Sequence, residues 1–205
     1  MIEINKITLV TRHTILDNVS YTFHDNSIYG IVAENGSGKT TLFRAMVNLI
    51  GIENGNISFD HHSVEDNLHQ IFYFENEEWL DKNLNGMDYL KFVQRMWNSK
   101  IDIDDIIQIW NMKEYIHVPI KKYSLGMKQR LIIAMYILSD AKYMIMDEIT
   151  NGLDEENRKL FFEMIIELKN KGKTILISSH YKDEIISYCD IVLQIKDHKL
   201  CEVIS

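Results

Sequence analysis

The chain has 205 residues, 46% of them apolar and 25% charged, with a formal net charge of −8. That is the composition of a folded chain with one sizeable core, and it argues against disorder. Thirty acidic residues against 22 basic ones leave no basic face of the kind nucleic-acid binding requires, so no nucleic-acid partner is expected.

The longest uninterrupted apolar run, Leu131–Leu138, is far shorter than the about 18 residues needed to cross a bilayer. The opening Met1-Ile2-Glu3-Ile4-Asn5 carries no basic region before an apolar stretch, so no secretory signal is expected. Cys189 and Cys201 form no close metal or redox pair, which fits a reducing compartment. With no repeat, no low-complexity stretch and a single proline, Pro119, one domain is the expectation.

The chain opens on strands. Ile2, Ile4, Ile7 and Leu9 mark the first, Val19, Tyr21 and Phe23 alternate in the second, and Ile57 and Phe59 flank Ser58 in another. Such period-two patterns predict a small antiparallel layer. Ile28–Ala33 is apolar almost throughout, as a strand covered on both faces should be. A glycine-rich turn follows, and Thr41–Ile50 reads as a helix.

That turn, Ala33-Glu34-Asn35-Gly36-Ser37-Gly38-Lys39-Thr40, has the strand–turn–helix setting of a phosphate loop. Gly36 and Gly38 let the backbone wrap with N–H groups inward, and the helix beginning near Lys39 adds its positive end. Lys39 is placed to reach the β- and γ-phosphates and the Thr40 hydroxyl to hold Mg²⁺. Ala33 stands where the motif usually has its first glycine.

Met87–Met112 reads as helical, with Tyr89, Leu90, Val93 and Trp97 on one stripe, and suggests a helical subdomain inserted in the core. Ser124 is a good N-cap for a helix through Leu131–Leu138, and Gly126 leaves its first turn open to a phosphate. Tyr143–Met146 is a buried strand that ends in Asp147-Glu148. Acids at the carboxyl end of such a strand face a ligand crevice, where Asp147 would bind Mg²⁺ and Glu148 would polarise the attacking water. Thr174–Ile177 and Ile191–Ile195 read as further strands, with Glu155–Lys169 and Asp183–Cys189 as helices between them. This alternation implies parallel pairing with right-handed crossovers. His61, His62 and His69, with Asp60 and Glu65, have no standard metal-ligand spacing and read as a solvated loop.

Taken in order, the phosphate loop, Ser124-Leu125-Gly126-Met127, Asp147-Glu148, Asn151-Gly152-Leu153-Asp154 and Ser178-Ser179-His180 resemble the ATPase subunit of an ABC transporter. The likeness covers essentially the whole chain. It implies an α/β fold of the P-loop NTPase, ABC ATPase type: a mostly parallel core sheet, an N-terminal antiparallel β layer, and a small helical subdomain at about residues 76–122. It implies ATP and Mg²⁺ as ligands. Asn35, Gly36, Ser37, Gly38, Lys39, Thr40 and Thr41 would hold the nucleotide. Thr40, Asn76 and Asp147 would serve the metal, and Lys39, Glu148 and His180 the chemistry. Ser124, Gly126 and Asp154 would act on the site of a second ATPase subunit, in a homodimer or a heterodimer. An integral-membrane permease, contacted by the helical segment through residues such as Trp79, Leu80 and Met87, would place the chain in the cytoplasm at the inner face of the membrane.

The form Tyr-Ser-Leu-Gly-Met-Lys-Gln-Arg at 123–130 and Asn-Gly-Leu-Asp at 151–154 resemble ATPases of peptide-antibiotic export and lantibiotic-immunity systems. Several residues depart from the family pattern. Ile149 replaces the proline after the paired acids, and Asn76, or alternatively Glu75, stands for the glutamine of the Q-loop. Val10 replaces the aromatic ring that stacks on adenine, a loss of about 1 kcal/mol of nucleotide binding. Two other readings stay open: a non-transport ABC ATPase acting as a switch, and an ATP-binding module with little hydrolysis.

Overall fold

The computed structural model describes residues 1–32, 36–179 and 181–203. β1 (Ile2–Val10) and β2 (Thr14–Phe23) form an antiparallel hairpin whose Ile2, Ile4, Ile7, Leu9, Leu16, Val19 and Phe23 are all buried. β3 (Ile28–Val32), buried along its whole length, leads to the glycine-rich turn and α1 (Lys39–Met46). β4 (Asn54–Phe59) and β5 (His62–Ser63) complete a four-stranded sheet of order β2-β1-β4-β5. The short α2 (Val64–Asn67) precedes β6 (Ile71–Tyr73).

Next come α3 (Gly86–Met96), α4 (Ile103–Ile109) and the long α5 (Leu125–Ser139). β7 (Tyr143–Asp147), α6 (Glu155–Asn170), β8 (Thr174–Ser178), α7 (Lys182–Tyr188), β9 (Ile191–Lys196) and β10 (Lys199–Glu202) follow. The second sheet has the order β10-β9-β3-β8-β7-β6 and is parallel except for β10.

This six-stranded sheet divides two cores. Tyr29, Ile31, Tyr143, Ile145 and Leu176 point to the antiparallel layer and α1. Their neighbours Ile28, Val32, Met144, Met146, Ile175 and Ile177 point to the helices on the other side. Side chains alternate across a strand, so covering both faces demands the unbroken apolar runs seen in the sequence. Gly30 sits where a Cβ would come within 2.3 Å of Ile185 Cγ2, which lets α7 press directly on β3.

Two predicted elements are redrawn. The helix expected over Thr41–Ile50 begins at Lys39 and ends at Met46, because Asn48 takes a positive φ of 58°. The helix expected over Met87–Met112 is two helices. Asn98 turns left-handed with φ 51°, and Asp102 then caps α4 by accepting from Asp104 N at 2.8 Å. Asparagine tolerates that conformation and breaks a helix without a glycine. Among the described residues no helix is long and apolar enough to cross a membrane.

Candidate functional site

Parallel strands bring their carboxyl ends to one edge, and the residues following β3, β7 and β8 meet there. Of the glycine-rich turn, residues 36–40 are described, as is Thr41 after it; Ala33 and the expected nucleotide ligand Asn35 lie outside the described residues, as does His180. Gly36 and Gly38 have φ of 78° and 104°, and a Cβ on Gly38 would fall 2.2 Å from Ile15 Cγ2. Gly38 caps α1 through its carbonyl, which accepts from Leu42 N at 2.8 Å. Lys39 is only 5% exposed, and its Nζ lies 4.0 Å from Glu148 Oε1. Ser37 Oγ is buried with no hydrogen-bond partner among the described residues. A buried hydroxyl without a partner is costly, and a phosphate oxygen would satisfy it. Thr41 lines the same outer cavity as Gly36, Gly38, Lys39, Thr40 and Glu148.

Asp147 closes β7 at 9% exposure. Its Oδ2 accepts from Thr40 Oγ1 and its Oδ1 from Ser178 Oγ, each at 2.5 Å. Burial pushes the Asp147 carboxyl above its ordinary range, against the pull of those two hydroxyls. The pair Thr40 and Asp147 is a hard-oxygen set suited to Mg²⁺, which takes one or two protein oxygens and completes its shell with water and phosphate.

Glu148 turns the chain sharply with φ 49°, an unusual conformation for a glutamate. Its N–H donates to both the carbonyl and the Oγ of Ser178, at 3.1 and 3.0 Å. Asn151 Nδ2 donates to Glu148 Oε2 at 3.1 Å. Ser178 thus anchors both acids, a role the sequence offered no signal for beyond its place at a strand end.

Two neighbouring residues compete for the Q-loop position. Both Glu75 and Asn76 line an inner cavity with Thr40, Asp147, Glu148 and Asn151. Glu75 is buried and held by Arg44 of α1, with Nε to Oε2 at 2.6 Å and Nη2 to Oε1 at 2.5 Å; Tyr73 OH adds a third bond at 3.0 Å. The Arg44 guanidinium holds the Glu75 carboxyl below its usual range. Asn76 Oδ1 accepts from Glu78 N at 2.9 Å and so caps the 3-10 turn Glu77–Trp79. Tyr136 of α5, fully buried, accepts from Phe74 N at 3.0 Å and donates to the Ile145 carbonyl, fixing the end of β6 beside β7.

Ser124 caps α5, its Oγ accepting from Met127 N at 3.2 Å, and is itself exposed. The next residue, Leu125, packs on Gly152, and the Gly152 carbonyl faces Gly126. Asp154 is exposed and caps α6, accepting from Asn157 N at 2.8 Å. Within one chain Ser124, Gly126 and Asp154 line neither the inner nor the outer cavity. Thr11, His13 and Ile15 line the outer cavity near the Val10 position, so an imidazole is the one ring contributed there by the described residues. Among the described residues no three His, Cys, Asp or Glu side chains converge as a metal cage; His61 Nδ1 instead meets Glu3 Oε2 at 2.7 Å.

The family described as "ABC transporter" matches residues 16–151. The chain is 36% identical to an uncharacterised ABC transporter ATP-binding protein, YybJ of Bacillus subtilis (strain 168), over 98% of its own length and 94% of that protein's. It is 33% identical to the lantibiotic transport ATP-binding protein SrtF of Streptococcus pyogenes, over 92% of this chain and 83% of that one. In fold it is similar to a solved ATP-binding subunit of an ABC transporter, with a TM-score of 0.90 at 21% identity, covering 99% of this chain and 89% of that one. Over its length, then, this chain is a member of the ABC transporter family: an ATP-binding subunit of a transporter, and an ATPase.

Proposed function

We propose that the chain hydrolyses Mg²⁺-ATP at the meeting point of Lys39, Thr40, Asp147 and Glu148, and that this drives a separate membrane permease exporting a peptide or antibiotic-like substrate. The observation that carries the reading is the chain of contacts from Thr40 through Asp147 and Ser178 to Glu148, with Lys39 facing Glu148. Thr40 and Asp147 would hold Mg²⁺, with Asn76 beside them, and Mg²⁺ when bound would neutralise charge on the phosphates.

Lys39, the N–H groups of the turn and the Ser37 hydroxyl orient the triphosphate. Glu148 takes a proton from water as its oxygen bonds to the γ-phosphorus, and the bond from that phosphorus to the β–γ bridging oxygen breaks. His180 would contact the γ-phosphate. Ser124 and Gly126, which line neither the inner nor the outer cavity of their own chain, suit the site of a second copy or a related subunit, and Asp154 would support it.

Of the three residues suggested for permease contact, Leu80 is buried in the core and Met87 packs against it, while Trp79 is 43% exposed. Exposed Leu84 and Phe92 belong to the same helical segment. The peptide cargo rests on the likeness to the lantibiotic transport protein. Attachment to a permease would hold the chain at the cytoplasmic face of a membrane.

Phosphate release with and without Mg²⁺ tests the reading. Glu148→Gln is expected to bind ATP like the parent and to stall turnover; hydrolysis at the parent rate would remove Glu148 from the mechanism. A parent that binds ATP but releases almost no phosphate, even with a permease present, would favour a binding module.

A further inference from the structure

Two links join the turn after β7 to the segment after β8. One is a buried hydroxyl pair: Thr150 Oγ1 lies 3.1 Å from Ser179 Oγ, which also accepts from Tyr181 N at 3.1 Å. The other is Arg158, in the second turn of α6. Its Nη1 donates to the Leu153 carbonyl at 2.9 Å and its Nε to Glu184 Oε1 at 2.9 Å. Its guanidinium carbon lies 4.4 Å from the centre of the Tyr181 ring. The Arg158 side chain is 17% exposed, so these contacts are largely screened from water.

An ordinary helix-to-helix ion pair would need only Glu184. Here one planar group also grips the carbonyl just before Asp154 and lies against the ring just after His180. A guanidinium can donate along two edges while stacking on its face; an ammonium cannot do all three. Glu184 Oε2 is buried with no partner among the described residues, so this carboxylate depends on Arg158.

We propose that Arg158 is a positioning residue for ATP hydrolysis. It ties the Leu153–Asp154 turn to the segment that carries His180, so that the arm meeting the neighbouring subunit and the arm meeting the γ-phosphate move as one unit. This rests on the roles given above to Asp154 and His180. Thr150 and Ser179 reinforce the same joint from the buried side.

The test uses the full chain and steady-state phosphate release, with turnover expressed per site that binds a fluorescent ATP analogue. Arg158→Lys is expected to lower kcat by about tenfold, a barrier increase of about 1.4 kcal/mol. KM for ATP and analogue affinity stay within about twofold of the parent, since Arg158 has no hydrogen bond or ion pair to a phosphate-loop residue among the described ones. Tyr181→Phe, which keeps the ring, retains several-fold more turnover than Tyr181→Ala. Normal kcat per binding site in Arg158→Lys, whether or not its melting temperature falls, would reduce the residue to a structural pair and overturn the proposal. So would a loss confined to KM. Glu148→Gln, run alongside, separates the two levels of inference. If it still hydrolyses ATP, the assignment of the site fails; if it stalls while Arg158→Lys turns over normally, only the positioning role fails.

Discussion

Removing Arg44 should cost more stability than neutralising its partner. Arg44 and Glu75 make two charge-assisted bonds, of 2.6 and 2.5 Å, but share burial unequally, with side chains 44% and 5% exposed. Arg44→Ala therefore strands a carboxylate away from water, whereas Glu75→Gln leaves a guanidinium that water can reach. Breaking a fully buried pair from one side costs about 3–5 kcal/mol. Tyr73 OH still donates to Glu75 at 3.0 Å, and half-exposure of Arg44 means some water already enters. These offsets bring the expected loss for Arg44→Ala to about 2–3 kcal/mol, against about 1 kcal/mol for Glu75→Gln. Urea unfolding at neutral pH measures both, with unchanged m-values as the check that midpoints report stability. In a thermal melt the Arg44→Ala loss corresponds to roughly 4–12 °C for a chain of this size. A cost for Arg44→Ala under about 0.5 kcal/mol, or a larger cost for Glu75→Gln, would refute the reasoning from unequal burial.

Other outcomes follow from the same geometry. Gly38→Ala must place a Cβ 2.2 Å from Ile15 Cγ2 at φ 104°; ATP affinity, by titration, should fall at least about tenfold, in keeping with 1–3 kcal/mol of backbone strain. Lys39→Ala should weaken ATP binding by at least about tenfold through loss of a charge-assisted phosphate contact, and an unchanged dissociation constant would contradict the phosphate-loop assignment. Asp60 sets a pH signature. Burial would raise its carboxyl, but bonds from Lys142 Nζ at 2.8 Å and Tyr143 OH at 2.7 Å help hold it well below the usual 3.8. A carboxyl depressed in the folded state contributes its stability above the unfolded value and loses it as pH falls through the folded one. Unfolding midpoints should therefore drop below about pH 4, and Lys142→Ala should flatten that acid limb; an identical limb in the variant would place the effect elsewhere.

Much of the architecture could be read along the chain. Period-two alternation marked β1 and β2, and unbroken apolar runs marked β3, β7 and β8, because a strand's two faces declare themselves in its own residues. The glycine-rich turn before α1 and the acids Asp147-Glu148 at the end of β7 were legible for a similar reason: particular residue types at fixed short spacing show in the sequence itself. The helix boundaries at Asn48 and Asn98 were not, since asparagine accepts a left-handed turn without requiring one.

What the sequence determined by itself was local: which segments are strands, where a glycine-rich turn leads into a helix, which acids end a buried strand. Only the tertiary structure decided that Arg44 reaches Glu75, that Ser178 serves Asp147 and Glu148 together, and that Arg158 spans Leu153, Tyr181 and Glu184. Those partners are brought together by strand order and helix packing. A polar side chain's role is set by what the fold places within about 3 Å of it, and sequence spacing holds no record of that distance.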